Sequence, residues 1–157
     1  MPVTIELSTY IPADPDVVWE RIRTSRLLAH VTHPLIHFRP LDPDGFPAVW
    51  RKGDYQASMR LFGVIPMGGQ TIGIRYPEPP DARTRVLHDQ GYGTAARIWD
   101  HYILIAPEGG GTRYTDRVTV DAGWRTPFVA AFARAFYAHR QCRLRRLARK
   151  GFEALEE

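Results

Sequence analysis

Apolar and polar residues alternate with a period of two over much of this chain. Val3, Ile5, Leu7 and Ile11 are interleaved with Thr4, Glu6, Ser8 and Tyr10, the spacing of a strand with one buried face. Pro12 ends that strand. Asp14 before Pro15 is a helix start, because the carboxylate can cap the first turn and proline lacks only an N–H that would have no partner there. Val18, Trp19 and Ile22 then form the apolar side of a short helix. A second short helix is predicted over residues 25–31 before Pro34, a brief strand over 36–41, and a turn at Asp42, Pro43, Asp44 and Gly45.

The middle of the chain continues as a meander. Tyr55, Ala57, Met59 and Leu61 alternate with Asp54, Gln56, Ser58 and Arg60, and Gln70, Ile72, Ile74 and Tyr76 alternate with Thr71, Gly73 and Arg75. Residues 84–92 form a weaker strand that presents either Val86, His88, Gln90 and Tyr92 inward or the opposite set. Two further strands, 97–106 and 112–121, flank the loop PEGGG. In the second, Arg113, Thr115, Arg117 and Thr119 face water, which turns Tyr114, Asp116, Val118 and Val120 inward. In the first, Trp99, His101, Ile103 and Ile105 share a face. A hairpin closing with Ile105 opposite Thr112 sets His101 opposite Asp116 on the inner side. A buried carboxylate without a partner is costly, so the imidazole is its natural neighbour.

Residues 126–157 read as one long helix, opened by Thr126 and Pro127 and containing a single glycine, Gly151. At helical spacing Phe128, Phe132, Ala135, Phe136 and His139 gather on one face. A stripe of that length needs a broad surface to lie against, and a curved sheet gripping it would make a container. Trp50, Phe46 and Phe62 lie near turns, where they are candidates for exposed apolar surface.

Composition narrows the picture without deciding it. A chain of 157 residues, 44% hydrophobic, suits one domain over residues 1–157 with a sizeable core and no need of a staple. Its single cysteine, Cys142, cannot form an internal disulfide, which fits a reducing compartment. The first residues lack the layout of a signal peptide and no apolar run is long enough to span a bilayer, so the expected location is the cytoplasm. The formal charge of +4 and pI near 9.5 reflect a surface rich in arginine.

The stretch RIWDHYILIAPEGGGTRYTDRVTV resembles the final hairpin of the START-like or SRPBCC superfamily, in its polyketide cyclase/dehydrase-like ligand-binding branch. Trp99, His101, the turn of Gly110, Gly111 and Thr112, and Asp116 match that branch in order, although Ile103 stands where the branch often has a second histidine. IELSTYIPADPDVVWERI resembles the first strand and helix, HPLIHFRPL falls where the family has a short second strand, and FYAHRQCRLRRL is similar to its basic C-terminal helix. The resemblance implies an α+β helix-grip fold: a seven-stranded antiparallel sheet curled around a long C-terminal helix, two short helices between strands 1 and 2, and a ligand cavity between sheet and helix.

Within that frame the candidate ligand-contacting residues are Tyr55, Met59, Trp99, His101, Tyr114, Asp116, Phe132, Phe136 and His139, each of which also has a plain core or register-fixing reading. The leading functional expectation is binding or carriage of a small hydrophobic molecule: a lipid, an isoprenoid or a polyketide-like aromatic. An aromatase/cyclase-type enzyme is the alternative, with catalytic His101 as general base supported by Asp116. The third reading is an interaction module for a membrane surface or RNA, built on Arg140, Arg143, Arg145, Arg146, Arg149 and Lys150. These basic residues are spread around the helix without an aromatic platform, which reads better as a solvated helix end and disfavours nucleic acid. His30, His33 and His37 span Pro34 and pass from helix to strand, so their rings diverge and no metal site is expected. No cofactor is implied. Monomer and dimer remain open.

Overall fold

The computed structural model describes residues 1–157. Strand β1 (Val3–Ile11) leads into helices α1 (Pro15–Ile22) and α2 (Ser25–Thr32). Asp14 caps α1 by accepting from Asp16 N, and Thr24 caps α2 by accepting from Leu27 N. Strands β2 (Ile36–Pro40), β3 (Gly53–Leu61), β4 (Ile65–Arg75), β5 (Arg85–Gly93), β6 (Ile98–Glu108) and β7 (Gly111–Asp121) follow, then α3 (Thr126–Arg149). The strands form one antiparallel sheet in the order β1-β7-β6-β5-β4-β3-β2. Helix α3 packs against β1, β7 and α2. This is the helix-grip arrangement that the family resemblance implied. No helix is long and apolar enough to cross a membrane.

Three sequence expectations need correction. The β6–β7 hairpin closes two residues tighter than a symmetric PEGGG loop would allow, because Glu108 pairs with Gly111 and only Gly109 and Gly110 make the turn. Both have positive φ, +53° and +81°, the backbone that a two-residue hairpin turn requires and glycine supplies without strain. Ile105 therefore faces Tyr114, and His101 faces Val118. A shift of two preserves side-chain parity, so His101 and Asp116 become diagonal neighbours on one face and still meet.

Second, α3 stops at Arg149. Gly151 turns left-handed at φ +64°, and the chain folds back so that Phe152 and Leu155 are buried in the cluster containing Ile11, Val18, Ile22 and Leu147. Glu156 pairs with Arg21 at 2.9 Å. The glycine was the visible stop signal.

Third, the buried face of α3 is rotated from the stripe read in the sequence. Ala130, Ala133, Phe136, Tyr137, Arg140, Gln141, Leu144, Leu147 and Ala148 are buried, whereas Phe128 and Ala135 are exposed and His139 is half-buried. Leu144 and Leu147 pull the C-terminal half toward α1 and α2, and that sets the rotation. Trp50 is likewise buried, packed on Phe46 and Tyr55, while Phe62 is exposed.

The strand of undecided parity, β5, turns Leu87 and Asp89 toward α3. Val86 and His88 are buried as well, but on the outer face, where His88 stacks on Tyr102 at 3.9 Å and bonds Asp100.

Phe152→Ala tests the returning C-terminus. Loss of a fully buried phenyl group should cost about 3–5 kcal/mol, read as a lower denaturation midpoint; a change inside ±0.5 kcal/mol, the range of about a surface substitution, would mean that this turn contributes nothing to the core.

Candidate functional site

Between the inner face of the sheet and the N-terminal half of α3 lies a cavity of about 510 Å³, lined by 25 residues of which 20 are hydrophobic. Met59 from β3, Ile72 and Ile74 from β4, Leu87 from β5 and Ile103 from β6 face it from the sheet, and Phe132 and Phe136 from the helix. The alternation of each strand places those side chains there. Trp124 and Phe128 also line it, although they are 82% and 72% exposed, so the cavity reaches the surface at the start of α3.

One wall is polar. His101 Nε2 lies 2.7 Å from Asp116 Oδ1, with both side chains almost completely buried. Tyr114 OH donates to the same oxygen at 3.2 Å, and Gln141 Nε2 donates to Asp116 Oδ2 and to Leu7 O, each at 2.9 Å. Asp116 thus accepts from three side chains, which puts the His101 proton on Nε2 and leaves Nδ1 without a protein partner. Burial holds the His101 pKa below its ordinary value despite the hydrogen bond and charge of Asp116, so the imidazole is neutral near pH 7. Burial, reinforced by Asp116, pushes the Tyr114 phenol well up.

A second group of polar residues faces the same space. Arg140 is only 9% exposed. Its guanidinium sits 5.0 Å from the Tyr137 ring centroid and 5.7 Å from that of Phe136, and its Nε donates to nothing. Burial opposes the charge, but Tyr137, Tyr114, Asp116 and Asp89 around it hold its pKa above the ordinary value. Asp89 accepts from Gly73 N at 2.8 Å, where the β4–β5 ladder is interrupted between the Thr71–Tyr92 and Ile74–Asp89 pairs. Burial raises the Asp89 pKa to about 7, against the lowering effects of the Gly73 hydrogen bond and Arg140. Trp99 Nε1 donates to Tyr137 OH at 2.9 Å.

The profile of DUF8410, a domain of unknown function, matches residues 9–148. The chain belongs to the DUF8410 family. No curated protein matches the sequence. Among solved structures the chain is similar to protein CV1439 from Chromobacterium violaceum, with 17% identity, a TM-score of 0.65, and 92% of this chain and 96% of that one covered. It is similar to the Zhui aromatase/cyclase from Streptomyces sp. R1128, with 11% identity, a TM-score of 0.65, and coverage of 96% and 95%. The Aha1 dimer protein from Colwellia psychrerythraea gives 16% identity, a TM-score of 0.58, and coverage of 93% and 96%. These likenesses place this DUF8410 chain in the START-like, or SRPBCC, fold.

Of the residues singled out from sequence, Met59, Trp99, His101, Phe132 and Phe136 of this DUF8410 protein lie on the cavity wall. Tyr114 and Asp116 stand behind His101 and do not line it. Tyr55 donates its hydroxyl to Arg51 O and packs on Trp50, and His139 bonds His33 O on the outer side of the helix. Asp89, Tyr137 and Gln141 were not singled out, and Arg140 was grouped with the basic residues of the helix end. Arg140 falls within the Ala133, Tyr137, Arg140, Leu144, Leu147 spacing, and that periodicity was the available signal. Its grouping with a solvated helix end is corrected by its burial. The three histidines near Pro34 do not converge, and no group of three His, Cys, Asp or Glu side chains in the fold is placed to hold a metal ion.

Asp89 makes a pH-dependent prediction. Its folded pKa of about 7 lies above the ordinary carboxyl value of 3.8, so the native state holds the proton more tightly than the unfolded chain. Its contribution to stability is largest at low pH, falls as pH rises through that window, and is lost above about 7. Asp89→Asn, which retains an acceptor for Gly73 N, should flatten that fall and raise the melting temperature above neutral pH. Melting curves between pH 4 and 8.5 in which the two proteins run parallel would contradict this ionisation.

Proposed function

We propose that residues 1–157 act as one START-like ligand-binding domain that holds a small hydrophobic molecule between the sheet and α3. The observation that carries this reading is the cavity itself. Its volume of about 510 Å³ and its 20 hydrophobic wall residues of 25 suit a compact lipid, an isoprenoid or a polyketide-like aromatic, with few polar groups to fix orientation. The exposed Trp124 and Phe128 at its rim offer an apolar path for entry.

A neutral fluorescent probe, N-phenyl-1-naphthylamine, tests it. The wild-type protein should bind the probe with a blue shift and saturation, and Met59→Trp, which fills the wall, should weaken binding by roughly tenfold or more, about 1.4 kcal/mol. No saturable binding, or equal affinity in the filled variant, would remove the cavity as the site. Native mass spectrometry of fresh protein should show a co-purifying apolar compound.

A second reading is supported by His101 alone. A neutral imidazole on the wall with Nδ1 unpaired has the form of a general base for proton removal next to a carbonyl, with Asp116 stabilising the imidazolium that results. On that reading His101→Ala abolishes turnover of a cyclisable polyketide-like substrate while neutral-probe binding persists. An unchanged rate would take the residue out of any mechanism. The interaction-module reading is weaker, since Arg140 is buried, Arg143 bonds His30 O, and Arg145 bonds Thr9 Oγ1.

A further inference from the structure

We propose that the molecule taken up by this cavity carries a carboxylate on its apolar body, and that Arg140, with the Tyr137 hydroxyl beside it, is the site that receives that group. The inference rests on the cavity-binding reading and adds the chemical class of the ligand.

A buried guanidinium normally has a carboxylate or several carbonyl oxygens around it, because removing it from water without partners is costly. Asp116 and Asp89 act on Arg140 only at longer range, and no protein acceptor comes within hydrogen-bond or ion-pair distance of it. It lines the cavity, its Nε is buried and unpaired, and no ion pair of the protein includes it. Its guanidinium lies over the aromatic faces of Phe136 and Tyr137, which hold a cation in position without using its N–H donors. The nearest candidate counter-ions do not reach it. Asp116 is occupied by His101, Tyr114 and Gln141, and Asp89 bonds Gly73 N instead.

Tyr137, one helical turn before Arg140, adds a second donor. Its oxygen accepts from Trp99 Nε1, so its own hydroxyl hydrogen has no acceptor in the protein, and Tyr137 also lines the cavity. Arginine N–H groups and a phenolic O–H therefore meet in an apolar enclosure with no acceptor supplied. A planar carboxylate matches a guanidinium fork through two parallel hydrogen bonds, and in a low-dielectric surrounding such charge-assisted bonds are strong. Asp89, with its pKa near 7, can stay protonated beside a bound anion and avoid repelling it.

Isothermal titration with decanoate and its neutral counterpart, methyl decanoate, at one fixed pH tests the idea. Wild-type protein should prefer decanoate by roughly ten- to a hundredfold, the range of a charge-assisted hydrogen-bonded pair. Arg140→Met should erase that preference while leaving the ester's affinity in place. Tyr137→Phe should reduce the preference several-fold, and it provides the decisive variant if the methionine protein does not fold. Equal or tighter binding of the ester by wild type, or an undiminished preference in the variants, would overturn the assignment. If N-phenyl-1-naphthylamine binds and neither decanoate nor its ester does, the carboxylate inference falls while the cavity reading stands; if the probe also fails to bind, both fall.

Discussion

Asp116 is the point on which the geometry of this protein turns. Its two oxygens accept from His101 on β6, Tyr114 on β7 and Gln141 on α3, and Gln141 carries the connection on to Leu7 O on β1. Three strands and the long helix are thereby tied through one carboxylate that is 1% exposed. A buried acid is costly unless its acceptor capacity is filled, and its loss would orphan His101 Nε2 and the Tyr114 hydroxyl while leaving Gln141 only Leu7 O. The network therefore fixes the depth at which α3 meets the sheet, as well as the β6–β7 face that His101 presents.

That anchor divides the helix into two regimes. Beyond Gln141, Leu144, Leu147 and Ala148 join a solid cluster with α1, α2, and the returning Phe152 and Leu155. Before it, Phe128, Val129, Phe132, Phe136, Tyr137 and Arg140 border open space, and no residue of α3 beyond Arg140 lines the cavity. The hollow thus ends where the polar tie begins. Close packing is the norm in protein interiors, so a void of this size persists because the helix is held at its C-terminal half while large side chains along its N-terminal half stand against the sheet across the gap.

What could be read from the chain follows the same division. Strand alternation located the sheet, the inward set on β7, and the meeting of His101 with Asp116, even though the hairpin register differed by two, because parity alone decides which face a side chain takes. Asp89 was not legible: β5 buries Val86 and His88 on its outer face and Leu87 on its inner one, so hydrophobicity marks both sides alike. Arg140 was hidden for another reason. Charged residues on a helix ordinarily face water, and a stripe counted from Phe128 to His139 omitted Leu144 and Leu147, whose positions set the true rotation. The corrected face shows an arginine in line with core residues.

The energetic meaning of the cavity depends most on Arg140. Burying Arg140 without an ion-pair partner lowers the stability of the empty protein relative to a version with an apolar residue there. The fold accommodates this through the firm packing of its other half, where Leu144, Leu147, Phe152 and Leu155 are each nearly inaccessible. A molecule that supplied the missing acceptor would bind only the folded state and raise its stability by mass action. Unsatisfied donors beside a firmly anchored network distinguish this cavity from a packing defect lined only by methyl groups: Arg140 Nε and the Tyr137 hydroxyl hydrogen face it with no acceptor from the protein.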